Sequence, residues 1–89
     1  MARAWKRSKT KAGRMLQVRR RELGVTQAGI AKRLGYSLHH YNRLERGIVN
    51  LPIDCVEPFA HEMGIDLEKL TKAALDDLLP VRGWEAVQT

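Results

Sequence analysis

Apolar residues in this chain recur three and four positions apart and nowhere alternate for the length of a strand, a pattern that predicts helices almost throughout. Met15, Leu16, Val18 and Leu23 make the first stripe, over about Lys11 to Leu23, with arginines opposite. Gly24 follows where a left-handed cap ends such a helix. Thr26 is placed to N-cap a second helix over residues 27–34, with Ile30, Ala31 and Leu34 on one face and Gly35 closing it. Ser37 caps a third helix running to about Arg46, with Tyr41 and Leu44 inward and Gly47 at its end. "IVNLP" then connects to a fourth. Pro58 would break a helix running from Pro52, by removing a bond and clashing with the preceding turn. Either a short turn at 53–55 or a helix starting near Val56 is therefore expected. Phe59, Ala60 and Met63 face the core, and Gly64 stops this helix. Asp66 caps a fifth, with Ile65 and Leu70 in hydrophobic-staple positions. Leu67, Leu70, Ala74 and Leu78 carry its stripe to Pro80. The expected fold class is a compact all-α domain of five short helices.

Eighty-nine residues, 44% of them hydrophobic, are enough for one core and little more. The domain is expected to span 10–79, between a basic N-terminal arm, 1–9, and a tail, 80–89, without clear period. The arm holds Trp5; the tail holds Val81, Trp84 and Val87, apolar enough to close the core or make a dimer contact. No apolar run reaches 18 residues, so no membrane span is expected. The N-terminus lacks the apolar stretch of a secretory signal. The single cysteine, Cys55, cannot form an internal disulfide, which fits a reducing compartment. Together these point to the cytoplasm.

Charge changes the picture more than composition does. Residues 1–50 carry thirteen Lys and Arg against only Glu22 and Glu45, whereas residues 51–89 carry three against eight acids. The net charge of +6 thus hides a basic front and an acidic back. Such a front attracts a polyanion, nucleic acid before anionic lipid, because the basic half lacks the bulky aromatic face of an interfacial helix. Arg3, Lys6, Arg7, Lys9 and Lys11 give the arm a charge suited to phosphates or to a groove.

The central feature is a pair of short capped helices joined by a tight turn, "TQAGIAKRLG" then "YSLHHYNRLERG". Positions 30, 34, 41 and 44 form their seam, which leaves Leu38, His39, Asn42, Arg43 and Arg46 on the outer side of the second helix. Helix-turn-helix geometry puts the N-terminal half of that helix into a DNA major groove. A zinc site from His39, His40, His61 and Cys55 competes for this cluster. Adjacent residues point about 100° apart on a helix, however, and no usual ligand spacing occurs. No nucleophile elbow, phosphate loop or paired carboxylates suggest an enzyme. His61 reads as a solvated or half-buried helix residue and Cys55 as a small core hydrophobe. No cofactor or metal is expected.

Residues 13 to about 78 resemble the lambda-repressor/Cro-like helix-turn-helix family, the xenobiotic-response-element type of bacterial and phage regulators. The likeness is carried by Arg20, "GVTQ" (24–27), "IA" (30–31), "LG" (34–35), Ser37, "RLERG" (43–47), Asn50, "FAHEMGI" (59–65) and "DLEKL" (66–70). It implies that Gln27 donates to a DNA phosphate and braces a base-reading side chain. Ser37 and His40 face phosphate, Arg46 and Asn50 approach the backbone, and Leu38, His39 and Arg43 face bases, with Asn42 at the margin of that base-facing set. Arg20 and Glu45 form a buried ion pair between the first and third helices, since a carboxylate among apolar side chains needs a partner.

The resemblance further implies a sequence-specific regulator of transcription that binds double-stranded DNA. It would be a repressor and homodimer on an inverted repeat, acting on polymerase at the nucleoid. The alternative is an antitoxin that autoregulates while its acidic half holds a toxin. Four departures stand out: Tyr41 in place of Ile or Val, whose hydroxyl needs a partner or an exit to solvent, Gly29 in place of a helix former, Pro52 one position late, and leucine and histidine among the base-facing residues. The Gly29 change costs about 1 kcal/mol relative to Ala. Arg43 suits guanine, Leu38 a thymine methyl and His39 a purine N7.

Overall fold

A computed structural model describes residues 8–79. Arg3, Trp5, Lys6, Arg7, Val81, Trp84 and Val87 lie outside the described residues. The elements are α1 (Lys11–Leu23), α2 (Gln27–Leu34), α3 (Leu38–Arg46), a 3-10 turn (Ile53–Cys55), α4 (Val56–Met63) and α5 (Leu67–Leu78). The described residues form an all-α domain with five helices.

Local chemistry sets the helix ends. The side chains of Thr10, Thr26, Ser37 and Asp66 each accept the backbone N–H three residues on, at the starts of α1, α2, α3 and α5. Each such cap is worth about 1 kcal/mol. Pro58 is accommodated because α4 begins at Val56, so the proline falls among the first N–H positions, which have no intrahelical partner. Both expectations for this stretch are met at once, a turn at 53–55 and a helix from 56. Gly35 takes φ 78°, a left-handed conformation in which its N–H caps the last carbonyls of α2 two residues ahead of the Ser37 cap of α3.

The core is built from Leu16, Ile30, Tyr41, Leu44, Leu51, Phe59, Met63 and Leu70, all nearly fully buried. α1 packs on α3 and α5, α2 on α3, and α4 on α5. Four residues assigned to inward stripes are instead exposed: Val18 and Leu23 on α1, Leu67 and Leu78 on α5. Each helix is covered along one narrow face only. On α1 that face is Ala12, Gly13, Leu16 and Gln17. Gly13 is central to it, since a Cβ there would lie 2.7 Å from the backbone oxygen of Leu44. Bare backbone thus allows α1 to seat against the C-terminal end of α3.

The chain ahead of α1 is held to the same spot. Lys9 donates its backbone N–H to the Arg46 carbonyl at 3.0 Å, and a Cβ on Gly47 would lie 2.6 Å from the Thr10 nitrogen. Lys11, grouped with the arm by its charge, is in fact the first residue of α1. Its side chain pairs with Asp76 at 3.2 Å. Asp77 accepts the backbone N–H groups of Lys11 and Ala12 at 2.8 and 3.0 Å, so α5 caps α1 across 65 residues of chain.

Candidate nucleic-acid interface

The seam between α2 and α3 forms from Ile30, Ala31, Tyr41 and Leu44, with Leu34 half-buried at its edge. Sealing that face turns Leu38, His39, Arg43 and Arg46 into solvent, with Asn42 half-buried among them. These five sit at i, i+3 and i+4 offsets and therefore share one face of α3. Ser37 and His40 are exposed at its entrance, where the Ser37 hydroxyl accepts the His40 backbone N–H at 3.1 Å. The His40 ring lies 4.7 Å from that of Tyr36. Asn50 is exposed in the loop beyond Gly47, and Lys9 is exposed beside the C-terminal end of α3.

Behind this face lies a buried ionic network. Arg20 sends Nε and Nη2 to the two oxygens of Glu45 at 2.8 and 2.9 Å, a bidentate pair joining α1 to α3. The side chains are 12% and 1% exposed. Arg20 also donates to the Val25 carbonyl at 3.0 Å, tying the α1–α2 turn to the same point. Gln27 donates Nε2 to Glu45 at 3.1 Å, and its Oε1 accepts from Asn42 Nδ2 at 3.2 Å. The residue at the start of α2 therefore links the buried pair to the outer face of α3.

Burial by itself would push the Glu45 carboxyl up. The bonds from Arg20 and Gln27, with the Tyr41 hydroxyl close by, hold it below the ordinary carboxylate range. The Tyr41 hydroxyl is the departure from expectation: it neither reaches solvent nor finds a hydrogen bond of good geometry. Burial and the neighbouring Glu45 charge both raise its pKa. The ring is retained by packing, stacked 6.4 Å from Phe59.

Cys55 is half-buried rather than in the core, and pairs with the Tyr36 hydroxyl at 3.1 Å. That bond, with partial burial, pushes the Tyr36 pKa up to about 12. His61 is exposed on α4. Among the described residues, no three His, Cys, Asp or Glu side chains gather where they could hold a metal ion. No helix among them is long and apolar enough to cross a membrane. A groove between α1 and α5, floored by Met15, Val18 and Ile65, has no α2 or α3 residue in its lining.

Three positioning contacts carry no signal in the local sequence pattern: Gly13 against Leu44, Asp77 on the start of α1, and Arg19 donating to the Met63 carbonyl at 2.8 Å. All join positions far apart in the chain. Only the presence of a glycine inside an amphipathic helix hints at the first.

Comparison with known proteins agrees with this geometry. The helix-turn-helix domain family matches residues 11–78. Over 68 residues the chain is 35% identical to a propionyl-CoA carboxylase regulator of Cereibacter sphaeroides, covering 76% of this chain and 15% of that protein. The chain therefore corresponds to a small part of that relative's length. No solved structure matches it.

Proposed function

Since this chain belongs to the helix-turn-helix domain family, in its lambda-repressor/Cro-like class, we propose that it is a DNA-binding transcriptional regulator that reads sequence through α3. It acts as a repressor. A homodimer occupies an inverted-repeat operator in double-stranded DNA, sets one α3 into the major groove of each half-site, and denies the site to polymerase. The protein works at the cytoplasmic nucleoid and without catalysis. Leu38, His39, Asn42 and Arg43 face bases, whereas Gln27, Ser37, His40, Arg46 and Asn50 face phosphates. Residues 10–79 are the reading domain, the arm 1–9 adds phosphate contacts, and the tail 80–89 contributes to dimerisation.

The observation that carries this reading is the outer face of α3. One helical surface holds two arginines, a histidine and a leucine, all exposed, with a half-buried amide among them, backed by a paired ionic anchor. Exposed side chains of those types match base edges and phosphates, and a rigid mount keeps the entropy of ordering them low. Basic residues concentrated in the first fifty positions supply the sequence-independent part of the attraction. The name of the Cereibacter sphaeroides protein, a regulator, supports a regulatory role for the shared domain. The antitoxin alternative draws no comparable support. Asp76 and Asp77, two of its acidic residues, are taken up by Lys11, Lys72 and the α1 N-terminus.

Selection of bound sequences from a random duplex pool tests the proposal. A palindromic motif with half-sites about 10 bp apart is the expected result. Retention without any enriched sequence would refute it.

A further inference from the structure

Asn42 ends a hydrogen-bond chain whose direction is forced from its buried end. The Glu45 carboxylate can only accept, and Arg20 supplies one bond to each of its oxygens. A neighbouring amide must therefore turn its NH2 toward Glu45, as Gln27 does at 3.1 Å. That leaves Gln27 Oε1 facing α3, where it too can only accept, so Asn42 must present Nδ2 to it, as it does at 3.2 Å. Flipping either amide would set oxygen against oxygen or NH2 against NH2. The usual ambiguity of amide orientation is thereby removed.

Once Nδ2 has given one hydrogen to Gln27, Asn42 retains Oδ1 and a second N–H. One acceptor and one donor on a single planar amide complement the major-groove edge of adenine, where N7 accepts and N6 donates. The other bases fit less well. Guanine offers two acceptors, thymine O4 an acceptor beside a methyl, and cytosine a donor alone. Asn42 lies one turn from Leu38 and from Arg46, so the three share one side of α3, and Asn42 is only half-buried there.

We infer that Asn42 is a specificity-determining residue that reads adenine at one position of each half-site, and that Gln27 is the positioning residue that fixes its amide. The assignment rests on the proposed DNA-reading role of α3. It gives Gln27 a specific duty, that of transmitting the polarity of the Arg20–Glu45 pair to a base-reading side chain. A locked amide also binds with less rotamer entropy to lose.

The test is selection from a random duplex pool by the full chain, by Asn42→Ala and by Gln27→Met, with circular dichroism to check folding. The wild-type motif is expected to contain an adenine in each half-site, preferred about 5- to 140-fold over other bases, the equivalent of about 1–3 kcal/mol. Asn42→Ala should flatten that position alone. Gln27→Met should weaken the same position while leaving the other base preferences intact, which a merely structural role would not do. An unchanged motif for Asn42→Ala, or dependence on a base other than adenine, overturns the inference and leaves the proposed function standing. Uniform weakening by Gln27→Met, with the adenine ratio kept, removes Gln27 from the assignment. If the wild type enriches no sequence, the DNA-reading role itself fails. Because Asn42 is half-exposed, its variant decides the matter even where Gln27→Met does not fold.

Discussion

Replacing Arg20 with alanine strips Glu45, whose side chain is only 1% exposed in the intact pair, of both charged bonds. The carboxylate keeps the single Gln27 bond at 3.1 Å, too little to compensate an ion removed from water. Breaking a buried pair from one side costs about 3–5 kcal/mol. The Val25 carbonyl also loses its Arg20 partner, which adds about 1 kcal/mol. At about 4–8 °C per kcal/mol for a domain of this size, the thermal midpoint should fall by at least about 12 °C.

Far-UV circular dichroism on Arg20→Ala, Glu45→Gln and the double variant Arg20→Met/Glu45→Leu measures the effect and its cause. The double variant strands no charge and should recover most of the loss, because apolar replacement of a buried pair is often neutral. The gap between Arg20→Ala and wild type should narrow as pH falls, since protonation relieves the stranded carboxylate while weakening the intact pair. A midpoint for Arg20→Ala within about 4 °C of wild type would mean that the pair is not formed or not buried. A double variant no more stable than the singles would trace the cost to packing instead.

Two further outcomes concern stability and one the arm. The native Glu45 carboxyl titrates below its ordinary value of 4.5, so its contribution is complete above about pH 5 and is lost as pH falls through the native value. The urea midpoint should therefore drop between pH 6 and pH 3, and by less in Glu45→Gln. Gly13→Ala, which helix propensity favours by about 1 kcal/mol, should instead destabilise, because its Cβ would meet the Leu44 carbonyl; an upward shift of the thermal midpoint would show that α1 can move away. Deleting residues 2–8, ahead of the Lys9 anchor on Arg46, should weaken binding to all DNA alike and flatten its salt dependence. An unaltered salt slope in fluorescence anisotropy would make the arm a passenger.

Helix existence and ends were legible because each depends on a few neighbouring residues. A hydroxyl or carboxylate precedes α1, α2, α3 and α5, and a glycine follows each of α1 to α4. The outer face of α3 was legible for the same reason, being the complement of Tyr41 and Leu44. Stripe width was not, because how far a helix is covered depends on neighbours that periodicity does not name. Val18, Leu23, Leu67 and Leu78 continue apolar stripes on paper and stand in solvent. Tyr41 shows another limit, since the sequence demanded a partner or an exit for its hydroxyl and packing supplied neither. The resemblance implied a brace from Gln27 but did not say to which side chain. The choice of Asn42 follows from the contact between α2 and α3 and from the acceptor-only chemistry of Glu45.

Measuring Arg43→Ala against the selected site and its single-base variants shows whether α3 reads bases. Loss of about 1–3 kcal/mol on the selected site, with relaxed preference at one base position, is the predicted result. Unchanged affinity, or an equal loss on every sequence, would contradict it.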